Sequence, residues 1–226
     1  MPIDFTRGVR LALASLVFSL LASVGNAATT AATTAASTST ILVMGDSLSA
    51  EYGLARGTGW VALLEKRLEA EKISAPVVNA SISGETTAGG VTRLPALLAR
   101  HQPSLVVIEL GANDALRGFA LSATQSNLTT MVKASKTAGV KVVLVGMQVP
   151  PNFGKRYTDD FASLFPKLAK SESIALVPFF LKGVADRPDA RDWFQADGMH
   201  PKAQAHPIIL DNMWPVLKPL LLGRQR

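Results

Sequence analysis

Ser47 stands where an apolar run, Ile41-Leu42-Val43-Met44, stops at Gly45-Asp46. A serine hydroxyl is a weak nucleophile until a base takes its proton, and that base must itself be oriented. Histidine suits the task because its ionisation lies near neutrality. Of the 3 histidines, His101 ends an Ala-Arg-His-Gln-Pro stretch, where a cation at a helix terminus accounts for it. His206 falls in the first turns of the last helical segment and is followed by Pro207. His200 differs, because Asp197 precedes it by three residues. One turn or a tight loop brings that carboxylate and imidazole together and fixes the imidazole tautomer. A tetrahedral oxyanion needs donors already in place, each worth ~10²–10³ in rate. The Ser47 N–H, the Gly84 N–H and the Asn113 side-chain amide follow three successive apolar runs and are candidates.

Each of these residues has a plainer explanation when taken singly. Ser47 can cap the turn that follows it, and Asp197 can cap the terminal helix. Gly84 can be a turn glycine at positive φ, and Asn113 can form an Asx-turn. Nor is Ser47 in a Gly-x-Ser-x-Gly elbow, since position 49 is Ser.

Such a site needs elements to hold it. Apolar, β-branched-rich runs fall at 41–44, 76–80, 104–110, 141–145 and 174–180. Between them Trp60, Leu63, Leu64 and Leu68 share a helical face, as do Leu128, Met131, Val132 and Ser135. A last segment aligns Ile209, Met213, Val216 and Leu220, with Pro201 at its start and a kink expected at Pro215. Strand–helix alternation with nearly continuous apolar strands predicts one α/β domain, a parallel sheet covered on both faces. Right-handed crossovers then gather the strands' carboxyl-end loops on one edge, where ligands bind. The loop from Met147 to Gly154 carries paired prolines and Phe153. Met147, Pro150 and Phe153 are expected to border an apolar groove for an acyl group.

The 226 residues are 48% hydrophobic and 18% charged, a globular composition. The net charge of +6 is scattered, with no dense basic block or aromatic interleaving, so specific nucleic-acid binding has no motif behind it. Arg7 and Arg10 precede an apolar stretch from Leu11 to Val24, and Gly25-Asn26-Ala27 offers small residues for cleavage. This reads as an export signal over 1–27, too short for a comfortable membrane span, with an anchor as the alternative. A periplasmic location is expected, with secretion as the alternative, and no stable membrane anchor after cleavage. Residues 28–40 form a Thr/Ala/Ser-rich flexible lead-in, and 41–226 the domain. The absence of cysteine excludes thiol catalysis, thiolate metal sites and disulfides. Asn79-Ala80-Ser81 and Asn127-Leu128-Thr129 match the glycosylation pattern by chance, Asn79 being expected to be buried. Asp46, Asp197, His200 and His206 are conceivable metal ligands, but no D-x-D pattern or Gly-Lys phosphate loop accompanies them. No metal and no cofactor are expected, and the chain is expected to be a monomer.

Four blocks in order resemble the GDSL or SGNH hydrolase family: Gly45-Asp46-Ser47-Leu48, Gly84 within Asn79 to Gly84, Gly111-Ala112-Asn113-Asp114, and Asp197-Gly198-Met199-His200-Pro201. The stretches "VVNASISGET", "RLPALLARHQP", "LRGF" and "FPKLAK" are similar to the branch that takes acyl-CoA thioesters, aryl or short-chain esters and lysophospholipids. The resemblance implies a flavodoxin-like three-layer sandwich with about five parallel strands in the order 2-1-3-4-5. It implies Ser47 as nucleophile, His200 as base and Asp197 as its orienting partner, with Ser47, Gly84 and Asn113 as the oxyanion hole. Glu51 stands where a small residue is expected in relatives; its carboxylate is expected to face solvent, the alternative being the pocket. The rival functions are a non-catalytic acyl- or lipid-binding protein on the same fold and a metal-dependent phosphoesterase.

Overall fold

The computed structural model describes residues 39–223. The expected signal segment, and the lead-in apart from residues 39 and 40, lie outside the described residues. Five strands form one parallel sheet: β1 (Ile41–Gly45), β2 (Val77–Asn79), β3 (Leu105–Glu109), β4 (Lys141–Val145) and β5 (Ala175–Val177). Their order is β2-β1-β3-β4-β5, as the resemblance implies. The register pairs Ile41 with Val77 on one side and Leu105 on the other. Leu105 in turn pairs with Lys141, and Val143 with Ala175.

The helices are α1 (Trp60–Ala70), α2 (Thr87–His101), α3 (Ala112–Leu116), α4 (Leu121–Thr137), α5 (Lys155–Glu172) and α6 (His206–Leu222). The chain steps one way from β1 to β2, then the other way to β3, β4 and β5. Right-handed crossovers therefore put α1 on one face and α2, α4 and α5 on the other. In keeping with this, α6 packs beside α1, while α2 touches α4 and α4 touches α5.

Every residue of β1 and β3 is buried, which is why those runs read as continuously apolar. Trp60 and Phe180 meet edge-on with ring centroids 5.8 Å apart on one side of the core. Phe161 and Phe165 do the same at 5.2 Å within α5. In α2 Gly90 leaves no room for a side chain: a Cβ there would sit 2.7 Å from Leu110 Cδ1 and Met131 Sδ. The faces expected from periodicity are in place, with Leu128, Met131, Val132 and Ser135 all buried in α4.

Three expectations need correction. The run 174–180 is strand only as far as Val177, because Pro178 has no N–H for the ladder. Asn79 is exposed, since β2 is an edge strand; its amide donates to the Ser49 carbonyl at 2.8 Å. The last helix starts at His206, beyond a bridge between Phe194 and Pro201 and a short 3-10 turn over Ala203–Ala205.

The strand order reverses between β1 and β3. Their carboxyl ends send chain to opposite faces and leave a crevice, the usual ligand position in open α/β sheets. Ser47 follows β1 and Asn113 follows β3.

Candidate active site

The turn after β1 is built by Asp46. Its Oδ1 accepts the Leu48 N–H at 3.0 Å and its carbonyl accepts the Ala50 N–H at 3.0 Å. The capping that Ser47 might have supplied is therefore done by its neighbour, and the Ser47 hydroxyl points elsewhere. Its Oγ lies 2.8 Å from His200 Nε2. His200 Nδ1 lies 2.7 Å from Asp197 Oδ2. With Asp197 ionised, Nδ1–H donates to it, leaving Nε2 to accept the serine proton.

Asp197 is held ionised by its own turn. Its Oδ1 accepts the His200 N–H at 3.0 Å and the Met199 N–H at 2.9 Å. These backbone donors, His200 first and Met199 next, draw its pKa down to about 2 against a small opposing effect of burial. Gln195 braces this turn. Its N–H donates to the His200 carbonyl at 2.8 Å, and its side-chain amide donates to Tyr52 O at 2.9 Å and Pro201 O at 3.2 Å. The Tyr52 ring lies 4.3 Å from the His200 ring, covering one side of the imidazole.

The candidate oxyanion donors sit on tied loops. Asn113 Nδ2 donates to Asp46 Oδ2 at 3.1 Å, which fixes the amide and leaves its second N–H free of that bond. The Ile82 N–H donates to Gly45 O at 3.1 Å, and Arg117 Nη2 donates to Gly84 O at 2.9 Å. These bonds join the loops after β1, β2 and β3. Gly84 takes φ +78, a left-handed conformation that glycine adopts without strain. Among the described residues neither the Ser47 N–H nor the Gly84 N–H has an intramolecular acceptor.

Beneath the turn lies a buried polar cluster that the motifs did not announce. Ser49 Oγ donates to Glu109 Oε2 at 2.7 Å and accepts from Trp60 Nε1 at 3.0 Å. Gly45 has no room for a Cβ, which would sit 2.7 Å from Ser49 Cβ and 2.8 Å from Glu109 Oε2. Burial raises the Asp46 pKa to about 6, opposed by the Leu48 N–H, the His200 charge and the Asn113 amide. Burial, with the Asp46 charge second, pushes Glu109 well above the carboxylate range. One signal was present for Glu109: it is a lone carboxylate inside an apolar strand run.

The open cleft beside Ser47 has a volume of about 1080 Å³. Ser47, Asn113, Asp197 and His200 line it, as do Met147 and Pro150. Gly84 and Phe153 are not among its lining residues; Phe153 stacks at 6.3 Å on Tyr157 instead. Val149, Phe179 and Leu181 extend the apolar wall.

Glu51 faces neither bulk solvent nor the cleft. At φ +58 it folds back, and its Oε1 accepts the Gly57 N–H at 3.0 Å and the Gly59 N–H at 2.7 Å. His206 is buried, its Nδ1 accepting the Trp60 N–H at 3.0 Å, so it caps α1 from another helix. Its pKa is lowered, chiefly by burial. His101 ends α2 as expected. Among the described residues no group of three or more His, Asp or Glu side chains is placed to hold a metal ion.

Residues 43–208 match the model of the GDSL-like lipase/acylhydrolase family. The chain is 54% identical to the esterase TesA of Pseudomonas aeruginosa over 182 residues, covering 80% of this chain and 89% of that one. It is 43% identical to the thioesterase 1/protease 1/lysophospholipase L1 of Escherichia coli K12, covering 80% and 85% respectively. The crystal structure of the psychrotrophic esterase EstA from Pseudoalteromonas sp., inhibited by monoethylphosphonate, superposes with a TM-score of 0.76 at 43% identity, covering 81% of this chain and 98% of that one. The fold, the ordered blocks and these matches agree: the chain belongs to the GDSL-like lipase/acylhydrolase family.

Proposed function

We propose that Ser47, His200 and Asp197 carry out the ester and thioester hydrolysis of this family member through an acyl-enzyme. The observation that carries the reading is the unbroken contact from Ser47 Oγ to His200 Nε2 at 2.8 Å and from His200 Nδ1 to Asp197 Oδ2 at 2.7 Å, at the reversal point of the sheet. His200 Nε2 takes the hydroxyl proton as Ser47 Oγ attacks the acyl carbonyl carbon. The Ser47 N–H, the Gly84 N–H and the Asn113 amide receive the oxyanion. Collapse expels the alcohol or thiol, protonated by His200, and leaves Ser47 acylated. Water then attacks with its proton going to His200, and the acid leaves with Ser47 restored.

The apolar wall from Met147 through Val149 and Pro150 to Phe179 and Leu181 is the side that takes the acyl tail. The relatives' names cover esters, thioesters and lysophospholipids, and the cleft suits an acyl chain with any of those leaving groups. We further infer export through residues 1–27 to the periplasm, and a monomeric enzyme without metal or cofactor. Among the described residues no helix is long and apolar enough to cross a membrane.

Ser47→Ala is expected to lower kcat for p-nitrophenyl ester hydrolysis by about 10⁴-fold or more while circular dichroism stays native. An organophosphonate should label the parent at Ser47 only. Full activity in the variant would overturn the assignment, and loss of activity to a strong chelator would favour metal-dependent hydrolysis instead.

A further inference from the structure

β3 is apolar along its length except at its last residue, Glu109. This carboxyl is 2% exposed, lies between Ile108 and Leu110, and takes no part in the hydrolytic steps. Across the ladder it stands opposite Gly45, the last residue of β1. The sheet reverses between these two strands, and the chain leaves one toward Ser47 and the other toward Asn113. Glu109 therefore sits at the root of both loops.

Its Oε2 holds the chain on both sides of Ser47. It accepts the Ser49 hydroxyl at 2.7 Å and, more weakly, the Asp46 N–H at 3.4 Å. The Ser49 hydroxyl has one proton, and its other partner, Trp60 Nε1 at 3.0 Å, can only donate. That proton is thus committed to Glu109. The Asn79 amide meanwhile donates to the Ser49 carbonyl at 2.8 Å, so Ser49 is pinned from β2, β3 and α1 together. Gly45 permits this approach, because a Cβ there would lie 2.8 Å from Glu109 Oε2. Without Glu109 the Ser49 hydroxyl and the Asp46 N–H lose a buried acceptor, and the turn must shift to regain one.

We propose that Glu109 is a positioning residue for the hydrolase site: through Asp46 and Ser49 it fixes the turn that aims Ser47 Oγ at His200 and keeps the Ser47 N–H for the oxyanion. The inference rests on the acyl-hydrolase reading and adds to it a residue below the reacting groups. Glu109 does this as an uncharged acid. It is enclosed, it touches Asp46, itself a carboxylate, and among the described residues it has no ion-pair partner. Burial first and the Asp46 charge second hold it protonated. With Oε2 accepting twice, the proton belongs on Oε1. Glutamine reproduces that pattern, a carbonyl oxygen beside a donor, whereas methionine reproduces only the volume.

Steady-state kinetics with a soluble p-nitrophenyl ester tests the role. Glu109→Met should lower kcat by about tenfold or more with KM changed by less than about twofold, since the turn and not the cleft is disturbed. Glu109→Gln should bring kcat back to within about threefold of the parent. Ser49→Ala removes the other partner of the same bond and should match Glu109→Met, with the double variant hardly slower than either. Ser49→Ala also decides the matter if Glu109→Met does not fold. Circular dichroism and Tm accompany each variant. A role in stability alone would lower Tm and leave kcat of the folded variants within about threefold, which would overturn the inference. So would a raised KM at unchanged kcat, which would place the effect in the cleft. Glu109→Gln as slow as Glu109→Met would overturn the uncharged acid. The backbone amide resonance of Ser47 gives a readout without turnover: it should hold its parent position in Glu109→Gln and move in Glu109→Met. If the parent hydrolyses no ester, the hydrolase reading fails by itself, and this resonance still decides whether Glu109 sets the turn.

Discussion

Asp46 is the residue on which the proposed nucleophile, Ser47, and the proposed oxyanion donor, Asn113, both depend. It shapes the turn that presents Ser47 and accepts the Asn113 amide at 3.1 Å. Replacing it with Asn keeps an acceptor for Leu48 N–H but turns a second amide toward Asn113, so two donors compete and the proposed oxyanion donor loses its orientation. Asp46→Asn is expected to reduce kcat for a short-chain ester by ~10²–10³ with a smaller change in KM. Asn113→Ala should do the same, and the double variant should be hardly worse than either, because both remove one unit. Additive losses would show that Asp46 acts independently of Asn113. At this scale the sequence was legible where motif spacing encodes a local turn, as in Asp197-x-x-His200. It was not legible where a side chain finds a partner by folding back. Nothing in the order of residues says that Glu51 closes on the Gly57 and Gly59 amides, or that Glu109 lies under Ser49.

Strands and helices differ in how openly the chain declares them. The strand runs were visible because a sheet covered on both faces has no polar side, and only their ends were uncertain. α2 and α5 were harder to read. Gly89, Gly90 and Pro95 interrupt the first and Pro166 the second, and each lowers helix propensity. Tertiary packing overrides that deficit, with Gly90 itself needed for the approach of Leu110 and Met131. The same logic gives a stability prediction at the end of β4. Gly146 donates to Val177 O at 2.8 Å and accepts from the Phe180 N–H at 2.9 Å, binding the strand ends together. A Cβ on Gly146 would lie 2.3 Å from the Pro178 carbonyl oxygen, a backbone atom that cannot rotate away. Gly146→Ala should therefore destabilise by about 1–3 kcal/mol, the range for overpacking. Calorimetry should show a Tm lower by about 2–4 °C per kcal/mol lost. An unchanged Tm would mean that β4 and the 178–180 segment separate freely.

For the molecule as a whole, the parallel α/β class followed from alternation, but the site's location needed strand order. The reversal between β1 and β3 is what opens the crevice, and no local pattern records which strands are neighbours. The ordered blocks supplied that order only through family resemblance. Placing the site there has a consequence for global stability, because it buries carboxylates at the sheet's carboxyl edge. Asp46 titrates at about 6 in the fold against an ordinary value of 3.8. The folded state therefore holds this proton more tightly than the unfolded chain does. Its contribution to stability is fully present below about pH 4 and is lost as pH rises to about 6, by on the order of 2–3 kcal/mol. Asp197 works in the opposite sense, but its lowered pKa of about 2 confines it to more acidic solution. Comparing the parent with Asp46→Asn by denaturant unfolding isolates the Asp46 contribution together with its coupling to Glu109, since the remaining groups and the overall charge repulsion are nearly common to both. The parent's stability relative to the variant should fall by about 1–3 kcal/mol between pH 4 and pH 6, then level off. A flat difference across that range would mean that Asp46 ionises normally in the fold, and that the Leu48 and Asn113 hydrogen bonds fully offset its burial.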